Sequence, residues 1–138
     1  MKRAVVVADG PLRPETVLGA LTAAGFEAVT VASLQEARFQ VETGAAVVVA
    51  GVNGATWDGD RPTPINTMLP AARRSCVVVL IGPGLATGDA AKAFLLNVDL
   101  VVGATDAARL GELVTAALAL KRHLVSAVDT AAAARLGG

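Results

Sequence analysis

The feature that most constrains this chain is a repeated alternation. Short β-branched apolar runs occur at residues 4–7, 28–31, 46–50, 77–81 and 100–102, and helical signals fill the segments between them. A continuous apolar run of this length suits a strand buried on both faces. Five such strands alternating with five helices through short loops predict a parallel sheet covered on both sides, with right-handed crossovers. Each helix has its own start or stop. Pro14 and Glu15 open the first and Gly25 ends it. Ser33 and Glu36 form a capping box for the second, which Gly44 closes. The third spans 65–74, with Pro70 set to kink or restart it. The fourth covers about 88–96 and the fifth about 106–125.

At 138 residues the chain fits one domain. It is 54% hydrophobic and 17% charged, which excludes disorder as the main state. With three Phe, one Trp and no Tyr, Ala and Val must fill most of the core. Twelve basic and twelve acidic residues cancel, so no field favours nucleic acid or an acidic membrane. Cys76 is the single cysteine and reads as a small buried hydrophobe. The opening MKRAVVVADG is too short in its apolar part for a signal-peptide core or a membrane span, and no other run is long enough to cross a bilayer. These features predict a cytoplasmic domain over 1–125. Residues 126–138 read as a frayed tail or the start of a linker to a further segment.

In an open α/β sheet, ligands and catalytic groups gather past the carboxyl ends of the strands. The first such loop, Val7-Ala8-Asp9-Gly10-Pro11-Leu12-Arg13-Pro14-Glu15, is neither a dinucleotide fingerprint nor a P-loop. An acid at the strand end, then x-Pro-Leu, then a helix stopping at Gly25-Phe26-Glu27 resembles the opening of a response-regulator receiver domain. VTVASLQEA at 29–37 and Trp57-Asp58-Gly59 extend the resemblance over most of the chain. It implies a flavodoxin-like strand order 2-1-3-4-5 and a module of two-component signalling. In that family two acids hold Mg²⁺, a third-strand aspartate accepts the phosphoryl group, and a hydroxyl and a Lys-Pro bind its oxygens.

Carried over position by position, the resemblance implies a degenerate pocket. The acid pair becomes Ala8 and Asp9, the phosphoacceptor position falls on Gly51, and the hydroxyl position falls on Ile81. The Lys-Pro falls on Ala104 and Thr105. One carboxylate is a poor magnesium site. The chain is therefore expected to lack phosphorylation, resident metal, cofactor and catalysis, and to act as a pseudo-receiver through protein–protein interaction. The alternative is a small-molecule or nucleotide sensor using the hollow left by Gly51, Gly54 and Gly82.

Other polar residues have plain readings. Asp9 caps a turn or the first helix, with a retained cation contact as the alternative. Gly82-Pro83-Gly84 reads as a tight turn or, alternatively, an anion-receiving loop. Asp58, Asp60 and Arg61 form an exposed charge group. His123 is a surface residue, and Arg73 and Arg74 complement the dipole of the third helix. In the fifth helix Leu110, Leu113, Ala117, Leu120 and Leu124 make a stripe widened by Val114, Leu118 and Val125. Burial on the sheet explains part of it. The last turns should project past the sheet, leaving Leu120, Leu124 and Val125, with Leu113, as a face for a homodimer or a signalling contact.

Overall fold

The computed structural model describes residues 1–8, 12–52, 57 and 60–137. Five parallel strands are β1 (Arg3–Val7), β2 (Glu27–Val31), β3 (Val47–Gly51), β4 (Val77–Gly82) and β5 (Leu100–Gly103), in the order β2-β1-β3-β4-β5. The helices are α1 (Pro14–Ala23), α2 (Leu34–Glu42), α3 (Pro70–Arg74), α4 (Ala90–Leu96), α5 (Leu110–Val125) and α6 (Thr130–Gly137). This is the flavodoxin-like order that the alternation and the resemblance predicted. No helix among the described residues is long and apolar enough to cross a membrane.

The register is continuous across the sheet: Val5 pairs with Val29 and Val48, Val48 with Val78, and Leu80 with Val101. Because side chains alternate along a strand, the valines divide between two cores. Val6, Val49, Val79 and Val102 pack under α1, α5 and α6 with Leu21, Leu110, Val114 and Leu136. Val5, Val48, Val78 and Val101 pack on the opposite face with Val41, Ile65 and Ala93. Valine on both faces is why the strands read as unbroken apolar runs.

Helix ends follow their local chemistry. Ser33 accepts the Glu36 amide at 3.2 Å, while the Glu36 carboxylate reaches back to the Ala32 amide at 2.9 Å. Gly25 and Gly44, at φ +93° and +122°, supply the left-handed stops. The third helix is shorter than the sequence suggested. Residues 64–67 form turns, and the α-helix begins only at Pro70, whose missing N–H costs nothing at that first position. Asp89 caps α4 by accepting the Lys92 amide at 3.1 Å, which sets its start at Ala90 instead of Gly88. The expected fifth helix is divided: Ala104–Arg109 is a 3-10 turn and the α-helix proper starts at Leu110.

The largest departure is the tail. Instead of fraying, it turns at 126–129 and forms α6, with Ala132, Ala133 and Leu136 buried. Asp129 caps this helix by accepting the Ala132 amide at 3.0 Å and pairs with Arg74 at 3.0 Å. Arg135 donates to the Val41 carbonyl at 2.7 Å. Lys2, Phe26 and Leu136 line one shallow hollow, and Arg3, Ala46 and Arg135 line another, so α6 lies against the amino-terminal ends of β1 and β3.

Candidate functional site

Past the carboxyl ends of β1, β3, β4 and β5 lies an open crevice of about 320 Å³. Its walls come from Leu12, Val17, Val52, Ile81, Pro83 and Ala107, with Arg13 and Thr16 at the start of α1 and Ala104 at the start of the 3-10 turn. Gly51 is the last residue of β3, and Ile81 is buried near the end of β4. Ala8 is exposed just beyond β1, where its amide donates to the Val31 carbonyl at 2.9 Å. Ala104 and Thr105 are exposed on the turn after β5. Asp9 lies outside the described residues, as do Gly54 and Asp58. Of the described positions of the expected pocket, Ile81 and Ala104 line this crevice while Ala8, Gly51 and Thr105 do not, and none of the five carries an acid, a base or a cation.

The hollow expected over Gly51 is already occupied. A β-carbon added to Gly51 would collide with the β-carbon of Leu12 and lie 3.2 Å from its α-carbon. Gly82 is held more tightly still. A β-carbon there would overlap the carbonyl oxygen of Val52, because the Val52 amide continues the β3–β4 ladder by donating to the Ile81 carbonyl at 2.9 Å. Both glycines therefore serve close packing, and the free volume lies beside them, above Ile81 and Val17. At the end of β5 a short polar chain ties two loops. The Gly103 amide donates to Thr87 Oγ1 at 2.8 Å, and the Thr87 hydroxyl donates to Asp106 Oδ2 at 2.5 Å. Among the described residues, no group of three His, Cys, Asp or Glu side chains is placed to hold a metal.

Charge is concentrated at the opposite end of the sheet. Lys121 Nζ, on α5, donates to the backbone carbonyls of Arg73 at 2.9 Å and Cys76 at 2.6 Å, and contacts the Asp99 carboxylate at 3.0 Å. Asp99, just before β5, also receives Arg73 Nη1 and the Val78 amide, each at 2.8 Å. One carboxylate thus joins two cations, the first turn of β4 and α5. Arg73 Nε is buried with no partner among the described residues. Burial holds the Lys121 ammonium below the usual lysine range, and the neighbouring Asp99 opposes that shift. Burial pushes the Cys76 thiol up, so it is an inert core group as its setting in the sequence suggested.

The stripe on α5 divides between core and solvent. Leu110, Val114 and Leu118 are buried on the sheet, and Leu113 is half-buried. Leu120 and Leu124 are 62% and 66% exposed, as projected. Val125 is not part of that exposed face: at 9% exposure it is packed in the core that α6 completes. The error follows from the tail, since α6 covers the surface that a frayed segment would leave open. His123 is exposed, whereas Arg73 and Arg74 do more than complement a dipole, being the partners of Asp99 and Asp129. The sequence reading missed Lys121 because its partners lie at the end of α3 and in the segments just before β4 and β5. One signal did exist for α6: an aspartate immediately before Thr-Ala-Ala-Ala-Ala is a helix-capping pattern. Family models, curated proteins and solved structures were all compared with this chain, and none matches it.

Proposed function

We propose that this chain is a receiver-like regulatory module that takes no phosphoryl group and works by binding another protein. The observation that carries the reading is the pair of wet leucines on α5, Leu120 and Leu124, one turn apart on the same side as half-buried Leu113. Large apolar side chains grouped on a rigid helix favour desolvation by a partner. Phe94 and Leu95 of α4, 84% and 70% exposed, add apolar surface on the helix next in the chain before β5. The filled space over Gly51 supports the phosphorylation-independent part, because a carboxylate there would have to displace Leu12. Regulation then rests on differential partner affinity between states.

The test has two arms. Incubation with Mg²⁺ and a small phosphodonor leaves the intact mass unchanged, and a stoichiometric acyl-phosphate adduct refutes the reading. A photo-crosslinking residue at position 124 gives a discrete protein adduct, or a homodimer, under native conditions. The same residue at Thr30, exposed on the edge strand β2, gives none. Equal labelling from both positions removes the α5 face from the proposal.

A further inference from the structure

The crevice past the strand ends has a composition that selects a ligand, and this goes beyond the partner-binding reading. We infer that it binds a small organic carboxylate with an apolar body. Its depth is formed by Leu12, Val17, Val52, Ile81 and Ala107, and its rim carries Arg13 and Thr16. Arg13 is exposed and takes part in no ion pair among the described residues. An arginine fork binds a carboxylate through two parallel N–H donors, and the Thr16 hydroxyl adds a third donor. Among the described residues the apolar depth provides no partner for a second charge, which favours a monoanion with a hydrocarbon or aromatic body over a sugar or a polyphosphate.

Size and placement agree with this chemistry. About 320 Å³ lies at the low end of ligand clefts, which run from roughly 300 to 1,000 Å³. The crevice opens outside the carboxyl ends of the strands, beside the switch between β1 and β3, where an open α/β sheet leaves room for a ligand. Its floor is firm, because Ile81 of β4 and Val52, directly after β3, are joined by the 2.9 Å Val52–Ile81 hydrogen bond. A nucleotide would need several phosphate-binding donors at depth, whereas among the described residues the cation lining this crevice, Arg13, is exposed.

The probes are hexanoate and 1-hexanol, which share an alkyl chain and differ in charge, titrated into the whole chain with amide chemical shifts as the readout. Hexanoate produces saturable shifts at Arg13, Thr16, Val52 and Ile81 with a Kd of about 1 mM, the range open to a ligand this small. Hexanol binds at least about tenfold more weakly, a difference of about 1.4 kcal/mol. Arg13→Gln abolishes the preference, and Ala107→Leu, which fills the depth, weakens both ligands while melting as the wild type does. Absence of saturable shifts at the crevice overturns the inference. So does equal affinity for acid and alcohol, or a preference that persists in Arg13→Gln.

Discussion

At the amino-terminal end of the sheet, Lys121, Arg73 and Asp99 are locked together between β4, β5 and α5, and α6 lies across the neighbouring strands. At the carboxyl-terminal end of the same strands the chain places Gly51, Ile81 and Ala104, and the groups packed there are Leu12 and Val52. Open α/β proteins usually carry their chemistry at the second end and plain packing at the first. Here, among the described residues, the ion-paired cluster lies at the first end. The contrast teaches that buried charge in this molecule acts as a fastener. Among the described residues, each Lys121 and Asp99 bond ends on backbone or on another member of the cluster.

The sharpest way to break that comparison is Asp99→Ala. It leaves two cations without their carboxylate and the Val78 amide without its acceptor, so the loss should be about 3–5 kcal/mol in urea unfolding. A loss near zero would mean that the charges are not fastening anything. Next is Leu136→Ala, which removes a fully buried side chain of α6 and should cost about 2–4 kcal/mol. A frayed tail would make the substitution silent.

Gly51→Asp tests the other end. Crowding Leu12 should destabilise by about 1–3 kcal/mol, and the new carboxylate should still yield no acyl phosphate when Mg²⁺ and a phosphodonor are supplied. If the variant keeps wild-type stability and accepts a phosphoryl group, the carboxyl end is a site awaiting one residue, and the contrast dissolves. The smallest effect concerns Asp129. The Ala132 amide, and then Arg74, hold its carboxyl below the usual aspartate range. Its contribution is therefore present above the ordinary aspartate value and lost as pH falls through the lower folded value. Amide exchange in α6 should accelerate in that acidic window before exchange in β3 does, and simultaneous acceleration would deny α6 a separate capping contribution.

Much of the fold was legible because β-branched runs and helix punctuation are local signals. All five strands fall within one or two residues of the runs that predicted them, and Ser33, Gly25, Gly44 and Pro70 mark helix ends as their chemistry dictates. What local signals could not carry is pairing at a distance. Lys121 follows Ala117 by four residues on the core-facing side of α5, and its partner Asp99 lies 22 residues away. Thr87 and Asp106 are likewise joined across 19 residues. Two of the crevice's lining residues, Ile81 and Ala104, were singled out in the sequence as positions without polar side chains. That Leu12 fills the space over Gly51 was not legible, since it is a contact between residues 39 apart in the chain.

The return of α6 also brings residue 137 to the same side of the molecule as residue 1. Met1, Lys2 and Gly137 border the same hollow beneath the sheet. A short flexible linker should therefore join residue 137 to residue 1, and a new opening at the exposed turn around Gly84 would yield a circular permutant with an unchanged strand order.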